Sequence, residues 1–117
     1  MDDLRAKRCR PCDRGTPKLD ETGIAAFAAQ LPRWTVEDER LRRRITFAGF
    51  RDAIRFVDRM AELAEAEDHH PDFCVHYRQV DVTLWTHAVG GLSENDFILA
   101  AKLDELLENE SAGSEGS

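Results

Sequence analysis

The spacing of apolar residues switches repeatedly along this chain, and the switches limit the folds that it can adopt. From Phe73 to His87 the spacing is two, which predicts a strand with one buried side and one solvent-facing side. Residues 50–67 repeat at spacings of three and four instead, as in an amphipathic helix. The positions that share a side are Val80, Val82, Leu84 and Thr86 in the strand, and Phe50, Ile54, Val57, Ala61 and Ala64 in the helix.

Weaker versions of both patterns precede the long helix. A first helix is predicted behind Asp20 or Thr22, either of which can cap it, and Pro32 ends it. Alternation over residues 34–47 predicts two short antiparallel strands with a turn near Asp38. The shared face of the first helix carries Ile24, Phe27, Ala28 and Leu31.

The last predicted elements are a turn at Gly90 and Gly91 and a helix capped by Ser93. The element order is therefore helix, strand, strand, helix, strand, strand, helix. Strands joined as hairpins, with helices covering one face of the sheet, make an α+β sandwich. The other sheet face is left to line a site or to meet another subunit.

The length of the chain, 117 residues, fits one domain. The periodic pattern places that domain at residues 19–108. Residues 1–18 carry no apolar period and are predicted to form an irregular N-terminal arm. Residues 109–117 are rich in Ser, Gly and Glu and are predicted to form a disordered C-terminal tail.

Charge and hydropathy exclude several classes of protein. The formal net charge of −7 and a pI of about 5.0 argue against nucleic-acid binding, which needs a basic face. The basic run from Arg40 to Arg44 fits a solvated sheet edge. The sequence has no apolar stretch of roughly 20 residues and no apolar signal region at its N-terminus. We therefore expect a cytoplasmic protein with neither nucleic acid nor membrane as a partner.

Three of the four histidines are candidates for acid–base chemistry. His69 and His70 lie where the long helix meets a strand, and His87 lies where a strand meets the glycine turn. Side chains at such junctions are expected to reach an open rim, and histidine can give or take a proton near neutral pH. The three can supply an acid and a base to one small molecule, although a surface pair without a role fits the residues as well.

Two carboxylates accompany the histidines. Glu65 lies on the last turn of the long helix, four residues before His69. Asp96 is the third residue of the last helix, where it can complete a capping box with Ser93. Each carboxylate has an ordinary structural explanation, and each can alternatively orient a neighbouring imidazole.

A zinc site is an alternative use of the cysteines. Cys9 and Cys12 have the spacing of half a structural zinc site, but a second pair is missing because only Cys74 remains. His69 and His70 are consecutive and project in different directions, which disfavours joint chelation of one ion. We therefore predict no metal and interpret the two cysteines as thiols in the N-terminal arm. An odd number of cysteines also argues against a disulfide framework.

A longer motif gives these residues a context. The run from Glu65 to Pro71 resembles the signature of the pterin-4a-carbinolamine dehydratase family, and Tyr77, His87 and Asp96 follow at the family's spacings. The similarity extends over residues 19–107. It includes the segments Leu31-Pro32-Arg33-Trp34, Leu84-Trp85-Thr86-His87 and Gly90-Gly91-Leu92-Ser93.

The resemblance implies a fold and a reaction. The implied fold is a four-stranded antiparallel sheet with three helices on one face, in a dimer or tetramer. The implied reaction is dehydration of 4a-hydroxytetrahydropterin to quinonoid dihydropterin, which recycles the tetrahydropterin of an aromatic amino acid hydroxylase. The family needs no metal or organic cofactor.

The resemblance also assigns roles to individual residues. It implies that His69 and His87 serve as acid and base and that His70 binds and orients the pterin. The implied catalytic set is therefore His69, His87 and His70, and the implied substrate-binding or supporting set is Glu65, Pro71 and Asp96. The alternative is a non-catalytic binding module, because relatives also serve as partners of a transcription factor or as assembly factors.

Overall fold

Three helices and four strands follow one another in the order that the sequence predicts. The computed structural model of the protein describes Leu4, Lys7, Cys9 and residues 18–114. The elements are α1 (Glu21–Ala28), β1 (Thr35–Glu37), β2 (Arg40–Thr46), α2 (Phe50–Glu67), β3 (Asp72–His76), β4 (Gln79–Leu84) and α3 (Glu94–Ser114), with a 3-10 helix at His87–Val89. The predicted α+β class is confirmed.

The four strands form one antiparallel sheet in the order β1-β2-β4-β3. Each hairpin contributes one edge strand and one inner strand, and the inner strands β2 and β4 pair with each other. The register sets Leu41 opposite Leu84 and Ile45 opposite Val80. Because side chains alternate along a strand, all four lie on the same face.

The core fills the space between that face and the helices. Phe56 of α2 and Phe97 of α3 are fully buried, and burial of side chains of this size contributes roughly 1.5–3 kcal/mol each. The predicted inward row of β4, from Val80 to Thr86, is buried at every position. The residues between them are half-buried on the opposite face of the sheet.

The arginine run lies on an inner strand, so the expectation of a sheet edge is wrong. β2 is flanked by β1 and β4 because the two hairpins join through their second strands. Three arginines of the run each pair with a carboxylate. The pairs are Arg42–Glu37 at 3.0 Å, Arg43–Asp104 at 2.5 Å and Arg44–Asp81 at 2.6 Å.

Both hairpins turn through left-handed backbone at residues other than glycine. Asp38 and Glu39, between β1 and β2, have φ of 52° and 56°, and Tyr77, between β3 and β4, has φ of 56°. Two consecutive positive φ values match the twist of a tight two-residue hairpin. The first turn thereby places Arg40 at the start of β2, beside Asp38 and Glu39.

Described residues on both sides of the predicted domain have regular structure or lie in the core. Leu4 is buried and belongs to the core, although it lies in the segment predicted to be an irregular arm. The backbone of α3 continues to Ser114, beyond residue 108 where the domain was expected to end. The division of the chain into arm, domain and tail stays a prediction.

Candidate active site

The end of α2 sends two consecutive histidines in opposite directions. Asp68 caps the helix in a left-handed conformation, with φ of 52°, and the next backbone N–H, of His69, bonds to Ala64 O at 3.1 Å. The His69 side chain turns inward and is only 7% exposed. The His70 side chain turns outward and is 55% exposed.

His69 therefore does not lie at an open rim, and that expectation is wrong for this residue. Its Nε2 lies 2.6 Å from Asp96 Oδ1, and Asp96 is fully buried. A carboxylate only accepts hydrogen bonds, so the proton of this bond belongs to Nε2 of the imidazole. A buried polar pair of this kind is costly without partners, and the bond supplies one to each side chain.

The second oxygen of Asp96 connects this pair to Thr86, the residue before His87. Asp96 Oδ2 accepts from the Ser93 backbone N–H at 2.9 Å and from Thr86 Oγ1 at 2.8 Å. The Thr86 hydroxyl has one proton, so the Ser93 hydroxyl donates in its 2.7 Å contact with Thr86. The predicted capping role of Asp96 is confirmed by the bond to Ser93.

The outward histidine has a carboxylate partner of its own. His70 Nε2 lies 2.5 Å from Glu65 Oε2, and both side chains are mostly exposed. Glu65 projects from the last turn of α2, five residues before His70. This pair is in contact with solvent, whereas the His69–Asp96 pair is not. Pro71 follows directly and is half-buried.

His87 begins the 3-10 helix just after β4 and is exposed. Its ring lies 3.7 Å from the ring of Trp85, centroid to centroid, with the two planes tilted by 37°. The Trp85 Nε1–H donates to Asp72 Oδ2 at 3.0 Å, which ties the indole to β3. Thr86, between the two rings in sequence, points inward and joins the Asp96 network.

The structure thus links His69 and Asp96 to the residue before His87, whereas Glu65 and His70 form a separate, exposed pair. His69 and Asp96 bond directly, and Asp96 reaches Thr86, whose next residue is His87. Sequence reasoning predicted the contact between Ser93 and Asp96 but missed Thr86 as part of the network. The signal was present in Thr86, a polar residue at an inward strand position, because a buried hydroxyl needs a partner.

The cysteines give no support to the zinc alternative within the described residues. Cys9 packs against the core, its backbone N–H donates to Glu67 Oε1 at 2.8 Å, and its Sγ lies 3.6 Å from Asn95 O. In residues 18–114, together with Leu4, Lys7 and Cys9, no group of three or more His, Cys, Asp or Glu side chains could hold a metal. Cys12 lies outside the described residues.

Comparison with protein-family models decides the family. The model of pterin 4 alpha carbinolamine dehydratase matches residues 17–106. The chain belongs to this family. The match spans every candidate site residue, from Glu65 to Asp96, and both halves of the sheet.

Individual members of the pterin 4 alpha carbinolamine dehydratase family are similar in sequence to nearly the whole of this chain. A provisionally named pterin-4-alpha-carbinolamine dehydratase of Rubrobacter xylanophilus is 46% identical over 107 residues, 91% of this chain and 100% of that protein. One of Dechloromonas aromatica with the same provisional name is 44% identical over 105 residues, 90% of this chain and 94% of that protein.

A solved structure agrees with the fold as well. The crystal structure of a transcriptional coactivator/pterin dehydratase from Brucella melitensis superposes with a TM-score of 0.74 and 34% sequence identity. The superposition covers 77% of this chain and 98% of that one. In the described part of the chain, no helix is both long enough and apolar enough to cross a membrane.

Proposed function

We propose that this protein dehydrates a 4a-hydroxytetrahydropterin to the quinonoid dihydropterin by histidine acid–base catalysis, as a step in tetrahydropterin recycling. Family membership supports the substrate class. The observation that carries the proposal is the pairing of each of two adjacent histidines with its own carboxylate, one of which, Asp96, also bonds to Thr86 beside His87.

The reaction needs two proton transfers and no electron carrier. The C4a–O bond breaks and water leaves after an acid protonates the hydroxyl. A base removes the proton from N5, and the C4a–N5 double bond forms. Groups with pKa values near the operating pH do this best, and histidine is the usual choice.

Burial supports a division of roles among the histidines that differs from the one the family resemblance implies. A group that exchanges protons with a substrate needs access to it. His70 and His87 are exposed, whereas His69 is 7% exposed and its Nε2 is held by Asp96. We therefore assign proton transfer to His70 and His87, with Glu65 orienting His70. The bonds of Asp96 to His69 and to Thr86 connect the residue before His70 to the residue before His87.

The test is the dehydration rate of freshly generated 4a-hydroxytetrahydropterin, followed by ultraviolet absorbance and corrected for spontaneous water loss. Loss of an acid or base step lowers the rate by about 10²-fold or more, so His70→Ala and His87→Ala are each expected to do so. His76→Ala is the matched control. His76 is an exposed histidine on β3 whose carboxylate contact, with Asp81 at 3.5 Å, lies on the sheet.

Two results would contradict the proposal in different ways. A folded protein that does not accelerate the reaction is not a dehydratase of this substrate. An active protein that keeps its rate in His70→Ala but loses it in His69→Ala, at unchanged stability, would restore His69 as the proton donor or acceptor.

A protein-binding role is a second candidate. The similar structure from Brucella melitensis is named a coactivator as well as a pterin dehydratase. Binding and catalysis can coexist on one fold, so activity does not exclude a partner. A pull-down from the native cell with the His70→Ala/His87→Ala variant as bait would test this, since a genuine partner of the scaffold stays bound to an inactive protein.

Self-association is part of the proposal, as a homo-dimer or homo-tetramer. The two edge strands of the sheet carry exposed apolar side chains, Val36 on β1 and Phe73 on β3. Exposed apolar groups on a strand edge favour pairing with another chain. Light scattering should give a mass of two or four times 13.3 kDa, and a monomer at high concentration would refute it. A functional link to an aromatic amino acid hydroxylase follows only if the pterin reaction is confirmed.

A further inference from the structure

We infer that the tip of the β1–β2 hairpin, residues 38–40, fixes the orientation of His87 by clamping Trp85, which makes Arg40 and Trp85 positioning residues for the reaction. The inference rests on the proposed function for its effect on rate. The fixed orientation itself can be measured without any activity.

Trp85 is held between two groups. The Arg40 guanidinium carbon lies 3.6 Å from the Trp85 ring centroid, and the His87 ring centroid lies 3.7 Å from it. Both separations are at van der Waals contact, which is about 3.5–4.0 Å between carbon atoms. One face of an indole cannot seat two planar groups at that height, so Arg40 and His87 occupy opposite faces. A guanidinium over an aromatic face is also attracted to it electrostatically.

The edge of the same indole is tied to β3. The Trp85 Nε1–H donates to Asp72 Oδ2 at 3.0 Å, and Asp72 is paired with Thr83 in the sheet. An indole contacted on both faces and bonded at its edge has little freedom to rotate. His87, which is exposed and stands at the start of a three-residue helix, gains from Trp85 a fixed surface on which to rest.

Arg40 is itself held by the β1–β2 turn, which directly precedes it. Its Nη1 donates to the backbone carbonyls of Asp38, at 3.4 Å, and Glu39, at 3.2 Å. Both of those residues have the left-handed backbone that brings their carbonyls toward Arg40. Unlike its neighbour Arg42, Arg40 has no carboxylate within ion-pair distance among the described residues. Its guanidinium is therefore directed to the turn and to the indole.

The same turn supports the loop that follows His87. Glu39 pairs with Lys18 at 2.8 Å, and the Lys18 ammonium holds the pKa of the Glu39 carboxyl below its usual range. A β-carbon on Gly91 would lie 2.6 Å from Lys18 Cε and 2.9 Å from Glu39 Oε1, so this pair passes directly over Gly91. A backbone hydrogen bond closes the loop between Thr86 and Gly91, since the Thr86 N–H donates to Gly91 O at 2.8 Å.

The hairpin tip thus contacts the His87 segment on both sides, at Trp85 and at Gly91. Misplacing a reacting group by about 1 Å can lower a rate by up to ~10²-fold. Loss of this support is expected to lower kcat, because His87 acts on the reacting atoms. It should change KM little, because substrate binding does not depend on that orientation.

The experiment compares graded variants at Trp85 and Arg40. Trp85→Leu removes the ring and is expected to lower kcat about 10-fold or more, with KM within about twofold of the native value. Trp85→Phe keeps an aromatic face but loses the bond to Asp72, and should recover most of the rate. Arg40→Met keeps the stem without the guanidinium and should fall between them. Arg42→Met, on the same strand, is the control and should leave kcat unchanged.

Nuclear magnetic resonance of the His87 ring protons tests the orientation directly. In the native protein they should be shifted upfield by the ring current of Trp85, and Trp85→Leu should abolish the shift. A native protein without the upfield shift overturns the inference, whether or not it is a dehydratase. The inference is also overturned if Trp85→Leu abolishes the upfield shift of the His87 protons while kcat stays at the native value. Absence of dehydratase activity in the native protein refutes the proposed function, and the ring-proton measurement then still decides the clamp.

Discussion

The buried Asp96 network makes a sharp prediction about stability. Its carboxylate receives three hydrogen bonds, from His69 Nε2, the Thr86 hydroxyl and the Ser93 backbone N–H. All four groups are buried, so none of the donors can turn to water when the acceptor is removed. Asp96→Ala removes the acceptor, whereas Asp96→Asn replaces the carboxylate by an amide, and the two substitutions should therefore have very different effects on stability.

Asp96→Ala leaves the His69 and Ser93 donors without their acceptor. Each unsatisfied buried group costs about 1–3 kcal/mol, so the two donors together cost about 2–6 kcal/mol. Asp96→Asn keeps one carbonyl oxygen for Ser93 and Thr86, and its amide can donate to His69 Nε2 if the imidazole carries its proton on Nδ1. Only the added strength of charge-assisted bonds is then lost, about 1–2 kcal/mol.

Urea unfolding at neutral pH measures both changes. For a denaturant slope near 2 kcal/mol/M, Asp96→Ala should lower the midpoint by about 1–3 M, and Asp96→Asn by less than about 1 M. Asp58→Ala, at an exposed position of α2, is the control and should stay within about 0.5 kcal/mol of the native protein. All proteins must be compared at one concentration, since association adds to apparent stability.

Unfolding of Asp96→Ala at the same urea concentration as the control variant would refute the stabilising role of the network. An Asp96→Asn variant as unstable as Asp96→Ala would refute it too, because the amide would then not be replacing the carboxylate in the network. A change of slope rather than of midpoint would indicate an altered unfolded or native state instead.

Two further predictions concern carboxylates elsewhere in the fold. Asp104 Oδ1 accepts from Trp34 Nε1 at 2.8 Å and from Arg43 at 2.5 Å, so Asp104→Ala should lower the free energy of unfolding by about 1–3 kcal/mol in the same assay. The hydrogen bond from Arg44 holds the pKa of Asp81 below its usual range, so the contribution of this pair is present above about pH 4 and is lost as the pH falls below it. The stability difference between native protein and Asp81→Asn should therefore shrink as the pH falls below about 4 and shrink at high salt at neutral pH, and a difference that stays constant between pH 7 and pH 2 would contradict this.

The element order could be predicted because periodicity and caps are local properties. The Asp20 cap is confirmed, with Oδ1 accepting from the Gly23 N–H at 2.8 Å, and α2 ends at the predicted Glu67. The inward row of β4 is confirmed for the same reason, since a strand alternates whatever its neighbours are. The alternation within one strand does not reveal that β2 pairs with β4. For that reason the arginine run was wrongly expected at a sheet edge.

The contacts that the sequence did not reveal join residues that are far apart along the chain. Leu4 belongs to the core although its own segment has no apolar period. Arg40, at the start of β2, contacts Trp85, just beyond the end of the neighbouring strand β4. This contact depends on the left-handed turn at Asp38 and Glu39. A single sequence contains no spacing rule for such contacts, because they depend on how hairpins dock rather than on how each one forms.

The adjacent histidines show how one backbone angle divides two identical side chains between two environments. The left-handed residue Asp68 ends α2 and turns the chain, so that His69 enters the interior and His70 leaves it. The inner imidazole needs a buried acceptor and finds it in Asp96, 27 residues later; the outer one uses Glu65 on the helix that it has just left. The inner pair is shielded from solvent and the outer pair is exposed to it, so only the outer pair is open to a substrate that arrives from solution. Substitution of Asp68 by Gly preserves the left-handed turn at little conformational cost and should preserve both pairs, while β-branched Val disfavours the turn and should lower stability and dehydration rate together.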